Sequence, residues 1–385
     1  MERPDAPAPH HRRGPRPLIL HLMLATLPSS AWPAAWQNWS AGWQGSAAPP
    51  QNPEPPNLPL PDAALLAGIA AYRRHPYQRV VADPPSVWTE GGSTLLDYGP
   101  PGASPVLFVP SLVNRAYVLD LQQNHSMMRF LSAHGVRPLL LDWGFPGEAE
   151  CDFTLTDYVA GRLLRAIASV GQPVTLAGYC MGGLMAVAAA QLRPDLISRL
   201  ALLATPWDFW AADGAARRLA DFVPVLEPAF ALAGAMPVDA LQMLFSLLDP
   251  GSVGAKYRDF GRQDQSSARA LMFVALEDWL NDGVPLAAPV AREVLGGWYG
   301  RNTPGNGCWR IAGLPVAPEA LRLPCLLAIP SRDRLVPPES AEKLASRLVE
   351  AATIRPQAGH IGMVAGSNAR GELWQPLLDW LASAA

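Results

Sequence analysis

The sequence predicts an α/β fold: a mostly parallel sheet covered by helices on both faces, with a mainly helical insertion ahead of its last strands. Three observations lead there. Short apolar runs without polar alternation recur from about residue 100 onward, as parallel strands buried on both faces require. Helical stretches separate those runs, the alternation that winds such a sheet. Apolar residues make up 49% of the 385, ample for a buried sheet and its covering helices.

Ahead of the sheet, residues 1–60 read as a leader and linker. Basic residues between His10 and Arg16 precede an apolar run, Leu18–Leu27, and small residues follow near Ala31–Ala35, the order of a secretory signal. His21 interrupts that run, which is also too short for a bilayer span of about 20 apolar residues. Trp32, Trp36, Trp39 and Trp43 then recur at helical spacing, and Pro33 restricts the start of such a helix to near Ser30. The stripe either packs on the main domain or lies on a lipid or polymer surface, where indole rings favour the boundary. The Pro-laden stretch Pro49–Pro61 closes the leader as an extended linker.

The expected strands are Val106–Val109, Leu139–Leu141, Val174–Ala177, Leu200–Ala204, Leu326–Ile329 and a weaker one near Thr353–Ile354. Helical patterns such as Tyr158–Val170 and Leu184–Gln191 separate them. Residues 61–385 form the expected catalytic domain, interrupted at about 207–321 by helical sequence that reads as a lid. There are no internal repeats.

Charge and cysteine content narrow the function classes. The net charge is −3, and no long run of Lys or Arg supplies an electrostatic footprint for nucleic acid. Cys151, Cys180, Cys308 and Cys325 are widely spread, with no CxxC pair and no histidine at ligand spacing, which disfavours disulfide and zinc frameworks. A reducing cytoplasm is the expected location, and neither a metal nor a resident cofactor is expected.

The chemistry concentrates at Val174-Thr-Leu-Ala-Gly-Tyr-Cys180-Met-Gly-Gly183, where an apolar strand ends in Gly-x-Cys-x-Gly-Gly and opens into an Ala-rich helix. That is the setting of a nucleophile elbow, with Cys in the place of the commoner Ser, and it specifies the α/β-hydrolase variant of the fold. Gly178 and Gly182 leave room around a tight turn, the helix N-terminus faces the thiolate, and the Met181 N–H is one oxyanion donor. On this fold the acid and then the base follow the nucleophile in the chain. His360 is the sole histidine after Cys180, and Asp333 lies in the loop after Leu326–Ile329, so both are expected at the C-terminal edge of the sheet. The second oxyanion donor is expected after the first core strand, at Leu112 or Val113.

Taken together, the segments Pro110–Leu121, Leu141–Pro146, Thr154–Tyr158, Gly178–Gly183, Thr205–Phe209, Asp333–Pro337 and Gly359–Gly362 resemble polyhydroxyalkanoate synthases, closest to the shorter catalytic chains of two-subunit type. The resemblance runs from about residue 65 to the end and takes in Glu277–Asp282. It departs in the Trp-bearing leader, at the missing lysine after Asn114, and at Tyr179 and Met181. It implies that Cys180 attacks an (R)-3-hydroxyacyl-coenzyme A thioester, that His360 takes the thiol proton, and that Asp333 orients His360 or helps activate the acceptor hydroxyl. It also implies a second subunit or homodimer and a polymer-granule surface as partners. A thioesterase or polyester hydrolase would use the same three residues, with water as acceptor. A non-catalytic granule- or membrane-associated protein is the remaining alternative, which an intact Cys180, Asp333 and His360 disfavour.

Overall fold

The apolar runs assemble into one eight-stranded sheet. Its strands are β1 (Ser86–Glu90), β2 (Ser93–Asp97), β3 (Pro105–Val109), β4 (Arg137–Asp142), β5 (Val174–Tyr179), β6 (Ile197–Leu203), β7 (Cys325–Ala328) and β8 (Ala351–Ile354). Their order is β1-β2-β4-β3-β5-β6-β7-β8. From β4 to β8 every neighbouring pair is parallel, and β2 alone runs against its neighbours. This computed structural model describes residues 62–383 apart from 212–214 and 249, together with 12, 14–18 and 22. The expected Trp32–Trp43 row and the Pro49–Pro61 linker lie outside the described residues.

All six expected strands are present, and each covers or overlaps its predicted run. β3 and β5 are buried along their whole length, which accounts for the lack of alternation in their sequences. The β1–β2 hairpin was not among the expected strands. It turns at Gly91-Gly92, and β1 is mostly exposed on the sheet edge. Arg162, itself buried, fastens this edge: its guanidinium donates to Glu90 at 3.1 Å, Glu150 at 2.9 Å and the Ser93 hydroxyl at 3.0 Å.

The described part of 207–321 is mainly helical, as expected, but it does not belong to one body. The described residues divide into two compact units, one combining those up to Gln78 with those of 242–281, the other those of 79–241 with those of 282–383. In the first unit, helix Ala63–Arg74 and helices Pro250–Gly261 and Ala268–Asn281 share an apolar core of Leu65, Ile69, Tyr72, Tyr257, Phe260 and Val274. Inside that core the Tyr257 hydroxyl donates to Glu277 at 2.5 Å, and Lys256 reaches the other carboxylate oxygen at 2.6 Å. The second unit holds the whole sheet. Among the described residues, no helix is long and apolar enough to cross a membrane.

Candidate active site

β5 lies at the centre of the sheet, and its C-terminal end is where the chain reverses into helix Met181–Leu192. Cys180 occupies the reversal with φ 55° and ψ −124°, a conformation that a non-glycine residue adopts only when its surroundings hold it there. The Cys180 N–H donates to the Leu203 carbonyl at 2.8 Å, carrying the β5–β6 ladder one residue past the strand. The Gly183 N–H donates to the Cys180 carbonyl at 2.9 Å and closes the turn. The side chain is left partly exposed.

The glycines flanking Cys180 are there for steric reasons. A β-carbon on Gly178 would run into the backbone of Gly182 and Gly183, and one on Gly182 would collide with the carbonyl oxygens of Val109 and Pro110. Neither obstacle is a flexible side chain. Gly182→Ala is therefore expected to cost about 3 kcal/mol in urea denaturation. Gly371→Ala, with open space at the same position, is expected to stay within about 1 kcal/mol. Equal losses in the two variants would refute the steric account of the elbow.

Two loops at the same sheet edge bring up the other predicted residues. Asp333 follows β7, and its Oδ1 accepts the N–H groups of Leu335 and Val336, both at 2.9 Å. Its Oδ2 meets His360 Nδ1 at 2.7 Å. Because an ionised carboxylate only accepts, Nδ1 carries the proton and Nε2 is left to face Cys180. His360 opens the short helix His360–Ala365, and both His360 and Asp333 are buried. Burial by itself would push the imidazolium down. The Asp333 charge, the Cys180 charge and hydrogen bonds to both outweigh it, holding His360 well above the ordinary histidine range. The structure thus brings Cys180, His360 and Asp333 into one connected line.

The expected oxyanion donors Leu112 and Val113 lie in the loop after β3. Ser111 contacts the Met181 sulfur at 4.0 Å, so the loop after β3 lies against the elbow. The Val113 N–H is already engaged by the Ser111 hydroxyl at 3.4 Å, and the Val113 carbonyl accepts from Val284 at 3.0 Å. Leu112 is buried beside them. Met181 is the first residue of the elbow helix, a position whose N–H has no intrahelical partner.

Two tyrosines lie at the site that were not among the expected site residues. Tyr179, the residue before Cys180, stacks on the His360 ring with centroids 5.2 Å apart. Tyr299 comes from the π-helical stretch Glu293–Gly300. Burial first, and then the charge of Cys180, push its hydroxyl above the usual phenol range, so it remains a donor. A frame of hydrogen bonds holds that stretch to the segment leaving β6. Asn302 accepts from the Phe209 N–H at 2.9 Å and donates to Asp208 at 2.8 Å, while the Trp210 indole donates to the Tyr299 carbonyl at 2.9 Å. Nothing in the local pattern around Trp298-Tyr299-Gly300 signals this meeting. The other thiols have different surroundings: burial and the Glu350 charge push Cys325 up to about 12, and Cys308 is exposed.

Comparison with known proteins gives the family. The alpha/beta hydrolase family matches residues 106–373. The poly(3-hydroxyalkanoate) polymerase subunit PhaC of Haloferax mediterranei is 32% identical over 72% of this chain, which spans 58% of that relative's length. The corresponding subunit of Synechocystis sp. is 31% identical over 72% of this chain and 77% of its own. That of Allochromatium vinosum is 30% identical over 77% and 87%. Among solved structures, a thermophilic esterase from Thermogutta terrifontis covers 80% of this chain and 99% of its own at 19% identity, with a TM-score of 0.47.

Proposed function

The chain belongs to the alpha/beta hydrolase family and, within it, to the poly(3-hydroxyalkanoate) polymerases; from that premise we propose that it polymerises (R)-3-hydroxyacyl groups from coenzyme A thioesters through an acyl-Cys180 intermediate. The observation that carries the proposal is the line from Asp333 through His360 to Cys180 at the sheet edge.

In the first half-reaction His360 Nε2 accepts the Cys180 thiol proton, and the thiolate attacks the thioester carbonyl carbon. The carbonyl oxygen gains the electron pair and is met by the Met181 N–H, with the Leu112 N–H as the better second donor because Val113's is engaged. Collapse breaks the bond to the coenzyme sulfur, which leaves with the proton returned by His360. The acyl group now rests in a thioester of nearly the same energy, so it can still be passed on. In the second half-reaction His360 takes the proton of a hydroxyl at the chain end, and that oxygen displaces Cys180. Asp333 keeps the imidazole in the tautomer both halves need. Coenzyme A enters as part of the substrate, and the scheme needs no resident cofactor.

The relatives are described as subunits, and we extend to this chain a partner subunit and association with the polymer surface, the latter through the spacing of Trp32, Trp36, Trp39 and Trp43. The test is incubation with (R)-3-hydroxybutyryl-coenzyme A while free coenzyme A, free acid and insoluble polymer are followed together. Coenzyme release with insoluble polymer is expected. Release with free acid alone would make water the acceptor and the protein a thioesterase, and no release with no acyl adduct on the Cys180 peptide would remove the covalent scheme.

A further inference from the structure

Tyr179 makes two separate contacts with His360. Its hydroxyl donates to the His360 carbonyl at 3.2 Å, and its ring lies over the imidazole at 5.2 Å with planes 29° apart. The residue is almost wholly enclosed, at 4% exposure. An apolar side chain of similar size would fill the same space. A tyrosine instead places an electron-rich face against the one ring in the site that becomes a cation, at a separation inside the roughly 6 Å range of cation–π attraction.

We propose that Tyr179 is a positioning residue whose ring face stabilises His360 as imidazolium once the Cys180 proton has passed to it. The inference rests on the Cys180–His360–Asp333 reading above. It assigns the strand residue before the nucleophile a part in the chemistry that neither the triad nor the oxyanion donors supply. The hydroxyl contact anchors the backbone at the start of helix His360–Ala365, and the ring face acts on the charge.

The other charged groups around that helix are engaged elsewhere. Asp333 faces His360 from the loop after β7, and Cys180 faces it from the elbow. Arg332, next to Asp333, donates to the Gln357 carbonyl. Segment Ala116–Asp120, packed against the same helix, carries Asp120, which is held by Arg129 at 2.8 Å and by the Tyr98 hydroxyl at 3.0 Å. The stretch Arg370–Trp374 carries Arg370, placed over the Phe130 ring, and Glu372, which accepts the Gln357 N–H at 2.7 Å. Helix His360–Ala365 has no further charged residue.

The test is an NMR titration of the His360 ring in the full chain carrying nitrogen-labelled histidine, assigned by the signal lost in His360→Gln. Tyr179→Phe keeps the ring face and is expected to keep the wild-type midpoint. Tyr179→Leu and Tyr179→Met remove the face and are expected to lower the midpoint by about one pH unit. Fluorinated phenylalanines at position 179 hold the shape constant while draining the ring face, so they decide the question even where the aliphatic variants fail to fold. The midpoint is expected to fall stepwise with fluorine number. A flat fluorine series overturns the proposal, and so does Tyr179→Phe falling as far as the aliphatic variants. Absence of any acyl adduct on the Cys180 peptide after incubation with (R)-3-hydroxybutyryl-coenzyme A would instead overturn the triad reading itself, whatever the ring titration shows.

Discussion

Cys180→Ala is expected to abolish coenzyme A release from (R)-3-hydroxybutyryl-coenzyme A, a loss of roughly a millionfold in turnover. The size follows from what the thiol contributes. It is the atom that forms the covalent bond, and the remaining groups act only on that bond. His360 would be left with no proton to take, and the oxyanion donors with no tetrahedral oxygen to meet. The fold should survive the change. Alanine meets the same backbone demand at φ 55°, the side chain is only partly buried, and the turn is held by backbone bonds to Leu203 and from Gly183. Stability within about 1 kcal/mol of wild type in chemical denaturation would show that the loss is chemical. Retained release in a folded Cys180→Ala protein would refute the nucleophile assignment. Cys151, Cys308 and Cys325 could not substitute, because none of them follows a strand into a helix as Cys180 does.

That nucleophile was legible because two local signals coincide there. A buried strand reads as an unbroken apolar run, and the glycines that interrupt it mark where backbone segments press together. His360 was legible by elimination, since chain order on this fold leaves one histidine after Cys180. The choice between Leu112 and Val113 was not legible. It turns on whether the Ser111 hydroxyl reaches the Val113 N–H, a matter of loop geometry. The β1–β2 hairpin was missed for a different reason: its first strand sits half-wet on the edge, so no continuous apolar run announces it. Its Gly91-Gly92 turn between short runs was the available clue. Tyr179 and Tyr299 reach the site only through the fold: the one stacks on the distant His360 ring, and the other lies where the Cys180 charge raises its hydroxyl. Periodicity reports which face of an element is buried but not which distant residue that face will touch.

Asp333→Asn is expected to cost roughly 10³–10⁴-fold in turnover while leaving the fold intact, an effect far beyond the loss of one hydrogen bond. The reason lies in how the two oxygens of Asp333 are used. Oδ1 accepts from the Leu335 and Val336 N–H groups, and an asparagine would satisfy both with its amide oxygen. Its NH₂ group must then face His360 Nδ1 in the place of Oδ2. A donor there requires Nδ1 to accept, so the ring proton moves to Nε2. The base now points an N–H at Cys180 and cannot take its proton. The charge balance changes in the same direction. Burial pushes the His360 imidazolium down, and the Asp333 charge is the first of the influences opposing it. With that charge gone, the His360 midpoint should fall. Turnover measured across pH, together with the ring titration of His360, checks both halves. A variant whose His360 midpoint falls while turnover holds would show that Asp333 serves only to charge the ring. One whose midpoint and turnover both match wild type would remove Asp333 from the mechanism.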